Sequence, residues 1–253
     1  MLKILTSPAK LMKIDTQNDF LKPTTPKFIK ESAKIQEHLK KKNPKILKDL
    51  MNISEDLAQE NWERNQKWSA KPTSKNSAPA LYAFNGQVYK GLDAKTLKKS
   101  DVEYLQEHYL MISGLYGLLR PSDKIMLYRL EMGCGFSFEN HKNLYDFWQN
   151  KLTNELNKSL KKSDFVLNLA SNEYSKAINF KELKAPVIDF KFYEMKNGKP
   201  KTIVVYTKNA RGLVVRYCAQ NKVEKLEEVK SFNLENYLFN DELSTEKTFV
   251  FTR

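Results

Sequence analysis

The chain has 253 residues, 41% hydrophobic and 29% charged, a globular composition that excludes collagenous and disordered classes. Its 43 Lys/Arg against 30 Asp/Glu leave a net charge of +13, which favours polyanionic partners, nucleic acids first among them. No apolar run approaches the roughly 18 residues of a membrane span, MLKILTSPAK lacks a signal-peptide pattern, and two cysteines build no disulfide framework. A cytoplasmic chain with reduced thiols is therefore expected.

A chain of this length buries its apolar surface without staples. No repeat or long linker divides it, so one domain over 1–253 is expected. Leu2 to Thr6 is an apolar run ending at Ser7-Pro8, which predicts a first strand. Thr25-Pro26 predicts a helix start, with Thr as N-cap and Pro in the first position. Ile29, Ala33, Ile35 and Leu39 form its apolar stripe, and Lys40, Lys41 and Lys42 suit its negative end. Pro44 opens a short helix to Met51, a third runs from Ser54 toward Trp68, and residues 69–80 read as loop. The charge excess is densest here, with 16 Lys/Arg against 9 Asp/Glu in the first 80 residues.

Further along, Ser100 to Glu103 reads as a capping box before a helix reaching about Ser113. Leu144 to Leu160 is a long helical pattern. Phe165–Ala170, Ala185–Phe192 and Thr202–Thr207 are strand-like, the last two joined around an Asn197-Gly198 turn. Asn209 to Asn221 returns to a helical period, with Ala210, Leu213, Val214, Tyr217 and Cys218 on one face. Phe249–Phe251 predicts a final short strand. Helices and irregularly spaced strands interleave, so the fold class is α/β (mixed α+β), a mixed sheet flanked by helices.

The segment LKDLMNISEDLAQEN (47–61) is patterned like a helix-hairpin-helix nucleic-acid element, spanning about 44–67 with its helices. Leu47, Leu50, Ile53 and Ala58 hold the apolar register, while Asn52 and Ser54 stand where glycines are usual. Asn tolerates a left-handed turn, and Ser54 is a good N-cap but would occupy donors that a phosphate needs. Lys45, Lys48, Arg64 and Lys67 flank the turn and could meet phosphates together with Asn52, Ile53 and Ser54. An ordinary helical hairpin packing its leucines inward fits the same pattern.

Six of eight glycines lie between 86 and 135: Gly86, Gly91, Gly114, Gly117, Gly133 and Gly135. Such concentration points to special backbone geometry or close approach there. The same region sets Arg120, Asp123, Arg129 and Glu131 among apolar residues, as structural ion pairs or as a site. The strand FVLNLA runs into SNEYSKA, where Ser171 or Asn172 could cap a helix and Glu173, Tyr174 and Lys176 would project near a strand end. Lys208 and Arg211 are expected at the positive end of the 209–221 helix, a placement that calls for a nearby anion, bound or from the protein. No phosphate-loop, dinucleotide or nucleophile-elbow motif occurs. His38, His108, His141, Cys134 and Cys218 have no ligand spacing, so neither a metal nor a cofactor is expected.

Taken together, LTSPAK, TTPKF, LMNISEDLAQEN, PALYAFNGQVYKGLD, SGLYGLLRPSD, YRLEMG, NLASNEYSKA and KNARGLVVRY resemble, in order, the YaaA family of bacterial peroxide-stress proteins. The resemblance spans the chain and is most specific over Ser113–Gly133. It implies a cytosolic protein of the oxidative-stress response that limits free iron and protects DNA. It further implies a single mixed α/β domain with a helix-hairpin-helix and a basic cleft, and DNA binding. The sequence departs from the common pattern at Leu11, Met12 and Lys13, and at Cys134-Gly135.

Two functional readings follow. The first is a DNA-binding monomer, taking duplex or structured DNA without strong sequence preference. The second is an enzyme on a nucleotide or nucleobase. For that reading, Ser7, Lys10, Arg120, Asp123, Arg129, Glu131, Ser171, Asn172, Glu173, Tyr174, Lys176, Lys208 and Arg211 would share one pocket, with Glu173 as general base.

Overall fold

Leu2, Ile4, Leu5 and Thr6 are all fully buried, so the first strand, Leu2–Thr6 (β1), is covered on both faces. That is how a central strand of a parallel sheet reads. The computed structural model describes residues 1–14 and 20–253. The helices Ile29–Lys40 (α1), Pro44–Met51 (α2) and Glu55–Lys67 (α3) follow. The first of these starts three residues later than Thr25-Pro26 predicts. Thr24 is tied through its amide to the Ser122 carbonyl (2.9 Å) and through its hydroxyl to Asp123 (2.7 Å). This tertiary tie leaves Thr25 outside the helix, and the Pro26 carbonyl instead closes a turn on the Ile29 amide.

The short strand Ala78–Pro79 (β2) leads into Ala80–Ala83 (α4), Gln87–Leu92 (α5) and Lys99–His108 (α6). The N-terminal cap of α6 differs from the predicted box: Asp101, not Glu103, accepts from the backbone, at the Lys98 amide (3.1 Å). Nor does this helix reach Ser113. Tyr109–Ser113 is a strand (β3) that pairs in parallel with β1, Ile4 opposite Tyr109. Gly117–Leu119 (β4) and Lys124–Ile125 (β5) complete this region.

The second half supplies Leu144–Ser159 (α7), Phe165–Leu169 (β6), Asn172–Ser175 (α8), Val187–Lys196 (β7) and Lys199–Lys201 (β8). Asn197 and Gly198 both have positive φ (52° and 73°), the two-residue hairpin turn that Asn-Gly favours. The returning strand is Lys199–Lys201, not the predicted Thr202–Thr207, none of which is strand. From Val204 the chain is already helical, Val204–Asn221 (α9), and Val204, Val205 and Tyr206 are exposed. The packing of α9 against α5 overrides the strand preference of these residues. Leu226–Val229 (α10), Leu238–Phe239 (β9) and Thr248–Thr252 (β10) end the fold.

The main sheet runs β4-β3-β1-β6-β7-β10-β9, with β8 beside β7 and β2–β5 a separate ribbon. Strands β3, β1, β6, β7 and β10 are mutually parallel, and β4, β8 and β9 pair antiparallel. The molecule is a single α/β domain with a mixed sheet. From β1 the chain moves to β3 on one side; from β6 it moves to β7 on the other. The loops leaving β1 and β6 therefore part, which opens a crevice at the carboxyl ends of these strands.

Candidate functional site

The crevice is floored by the two loops. Parallel pairing sets Thr6 opposite Leu169, which brings Ser7 beside Ser171. The Ser171 amide donates to Ser7 Oγ (2.9 Å), and Ser7 Oγ donates to Ser171 Oγ (3.2 Å). Tyr89 anchors the floor from the other side, its hydroxyl donating to the Ser7 carbonyl (3.0 Å). A cleft of about 290 Å³ opens above these groups.

One wall is made by α5 and α9, which touch backbone to backbone. A Cβ on Gly212 would lie 1.8 Å from the Val88 carbonyl oxygen, and one on Gly91 2.2 Å from that of Asn209. Only glycine permits this approach, and it fixes Lys208 and Arg211 on the cleft. Neither side chain has an acidic or hydrogen-bonding partner among the described residues. Arg211 Nε is buried and unsatisfied, and burial pushes the guanidinium below its ordinary pKa. An anion entering here would neutralise both cations and satisfy the donors.

The opposite side carries carboxylates. Glu131 Oε1 takes Lys10 Nζ (3.1 Å) and Arg129 (3.0 Å), while Glu131 Oε2 is buried without a partner. Glu173 Oε1 accepts from the Gly133 amide (3.1 Å), and the Tyr145 hydroxyl donates to the Glu173 carbonyl (2.9 Å). Tyr174 packs between, its hydroxyl pKa raised mainly by burial and further by Tyr128 and the nearby carboxylates. Arg129 and Glu131 line a smaller hollow that shares Pro8, Ala9, Lys10 and Tyr174 with the cleft.

A family profile described as peroxide stress protein YaaA matches residues 2–243. The chain belongs to the YaaA family of peroxide stress proteins. A UPF0246 protein of Flavobacterium psychrophilum is 44% identical over 255 residues, covering 100% of both chains. One of Flavobacterium johnsoniae is 43% identical over 252 residues, again covering 100% of each. One of a Marinomonas species is 42% identical over 252 residues, covering 100% of this chain and 97% of the other.

In this YaaA-family chain the cleft gathers Ser7, Lys10, Ser171, Glu173, Tyr174, Lys208 and Arg211, with Arg129 and Glu131 adjoining. Four expected members lie elsewhere. Arg120 pairs with the fully buried Asp123 (2.9 Å), which also takes the Arg120 amide and the Thr24 hydroxyl. Arg120 borders a different hollow, with Lys3, Lys27 and Glu155. Because β4 runs antiparallel to β3, Arg120 leaves the sheet at the opposite end from Ser7. Asn172 and Lys176 are exposed and do not line the cleft. Lys208 and Arg211 also sit beyond the first turn of α9, which starts at Val204, so the helix dipole does not set their role. Sequence reasoning passed over Asn85, Gln87 and Tyr89, which line the cleft too. Their signal was Gly86, whose missing Cβ lets this loop lie against Ala9.

The hairpin of 44–67 is formed as the turn chemistry demands. Asn52 is left-handed (φ 49°, ψ 61°), and Ser54 Oγ caps α3 at the Leu57 amide (3.4 Å). Two of its turn amides are occupied: Asn52 N–H donates to the Asp49 carbonyl (3.4 Å) and Ile53 N–H to that of Lys48 (3.1 Å). Lys48 is paired with Glu55 (2.6 Å) and Arg64 with Glu60. Lys45 and Lys67 are exposed, yet the segment's four Lys/Arg face five Asp/Glu. Leu47, Met51 and Ala58 are buried in the core, with Leu50 and Ile53 packed against it. Its geometry is that of a helical hairpin whose surface offers phosphate no excess charge.

Among the described residues no three His, Cys, Asp or Glu are placed to hold a metal ion. No described helix is long and apolar enough to cross a membrane.

Proposed function

We propose that this peroxide stress protein binds DNA without strong sequence preference, shielding it from peroxide damage, and that the phosphate backbone enters the β1–β6 cleft and not the hairpin. The observation carrying this reading is that Lys208 and Arg211 line the cleft and form no ion pair among the described residues. The net charge of +13 supports a polyanionic partner. The hairpin, by contrast, pairs Lys48 and Arg64 with its own carboxylates and bonds the Asn52 and Ile53 amides internally.

Binding of a labelled duplex across a salt series tests this. Log affinity should fall linearly with log salt, by about 0.9 per phosphate neutralised. Lys208→Ala and Arg211→Ala should each lower that slope by about one, and scrambling the DNA sequence should change little. Lys48→Ala should leave the slope alone. If the cleft variants bind as wild type while folded Asn52→Pro does not, the hairpin is the DNA surface and the cleft assignment fails.

A second reading, an enzyme acting on a nucleotide or nucleobase, is favoured by Glu173. One of its oxygens is fixed by the Gly133 amide and the other has no hydrogen-bond partner among the described residues, an arrangement suited to a general base. Turnover that disappears in Glu173→Gln while DNA affinity persists would support it; a screen of nucleotides showing no turnover would remove it.

A further inference from the structure

The cleft is divided by chemistry. Lys208 and Arg211 stand on one side, on α9, while Asn85 and Gln87 lie on the loop leading into α5 and on its first residue. That loop is held in place by the Asn85 amide on the Leu11 carbonyl (2.9 Å) and by the close approach of Gly86 to Ala9. The side-chain amides of Asn85 and Gln87 are half-buried and carry no hydrogen bond among the described residues. Such amides cannot neutralise phosphate. Each offers one acceptor and two donors, the pattern that reads a nucleobase edge. Tyr89 and Tyr174, both largely buried, supply apolar wall between the two sides.

Size narrows the ligand further. At about 290 Å³ the cleft is at the lower bound of small-molecule sites, roughly 300–1,000 Å³. A duplex is too wide to fill such a space and can set only backbone phosphate at its mouth, whereas one nucleotide fits inside. Resting on the reading that phosphate enters here, we propose that the cleft holds a single nucleotide unit, phosphate against Lys208 and Arg211 and base edge against Asn85 and Gln87. The unit is a free nucleoside monophosphate or one nucleotide turned out of a strand. The chemistry recognised is the same.

The test titrates the full chain with the four common nucleoside monophosphates, their nucleosides and inorganic phosphate, read by calorimetry. At least one monophosphate should bind tenfold or more tighter than inorganic phosphate. The double variant Asn85→Ala/Gln87→Ala should weaken that monophosphate roughly tenfold and level the preference among bases, leaving inorganic phosphate unchanged. Neither side chain has a hydrogen bond among the described residues, so the variant should fold, as circular dichroism will check. Arg211→Ala should weaken monophosphates and inorganic phosphate alike. A single-stranded oligonucleotide, or a duplex with one unpaired base, that displaces the bound monophosphate identifies a strand as the source. Failure to displace it identifies the free nucleotide.

Inorganic phosphate binding as tightly as every monophosphate overturns the proposal, as does a double variant that binds each ligand like wild type. If DNA affinity depends on Arg211 but no monophosphate binds, the single-nucleotide proposal falls and the phosphate reading stands. If monophosphates bind through Arg211 while DNA affinity ignores it, the DNA reading falls and the nucleotide site stands.

Discussion

Ser7 and Ser171 are 164 positions apart, yet the amide of one donates to the hydroxyl oxygen of the other at 2.9 Å. This clasp joins the loops leaving two adjacent parallel strands at the point where the chain turns in opposite directions. It makes the crevice floor a product of strand pairing, Thr6 opposite Leu169.

The wall depends on two glycines. In Gly212→Ala a methyl would sit 1.8 Å from the Val88 carbonyl oxygen, which is backbone and cannot step aside. Overpacking of this kind costs about 3 kcal/mol, so urea unfolding should show an unfolding free energy lower by about that amount. DNA affinity measured on the folded fraction should also drop, because α9 carries Lys208 and Arg211.

Glu131 restrains the cleft's charge. Glu131→Gln releases Lys10 and Arg129 from their carboxylate, and a mostly buried pair that loses one partner costs about 3 kcal/mol. DNA binding should nevertheless tighten, with the salt slope steeper by about one. Unchanged affinity in the folded variant would place DNA away from Lys10.

Asn52 tests the hairpin as structure. Its φ of 49° is left-handed, a conformation costing most side chains roughly 1–2 kcal/mol. Asn52→Ala should lose about 1 kcal/mol and Asn52→Gly almost nothing, in thermal or chemical unfolding.

Peroxide reactivity of the thiols should be low. Burial pushes Cys134 up to about 11, and Cys218, fully buried, is pushed higher still. The thiolate is the reactive form. Alkylation of Cys134 should therefore be slow at pH 7 and rise about tenfold per pH unit toward its pKa. Fast stoichiometric labelling at neutral pH would show that its environment opens.

Asp101 contributes to acid sensitivity. Burial opposes its ionisation, but Lys222 (2.6 Å) and the Lys98 amide (3.1 Å) outweigh this and hold the carboxyl below its ordinary value. A depressed carboxyl stabilises the fold above its unfolded pKa, about 3.9, and loses that effect as pH falls through the folded value. Asp101→Asn should cost about 1–3 kcal/mol at pH 7. The difference from wild type should shrink as pH falls below roughly 4.

Elements whose signals are local were legible from the sequence. Pro44 starts α2, Ser54 caps α3, and Asn197-Gly198 turns β7 into β8, since each depends on φ or on a hydrogen bond within a few residues. Strand β1 and helix α7 were equally plain from apolar runs. Cleft-lining residues were legible where strands end in polar segments, at Ser7, Lys10, Ser171, Glu173 and Tyr174. Long-range contact decided the rest. Tyr109–Ser113 became strand because β1 was there to pair with it. Residues 204–207 became helix because α9 packs on α5 through Gly91 and Gly212. Arg120 and Asp123 were drawn to Thr24 at the far end of the sheet. Asn85 and Gln87 gained their place only when a missing Cβ let their loop lie on Ala9. Such outcomes rest on which distant surfaces meet, and no window of neighbouring residues carries that energy.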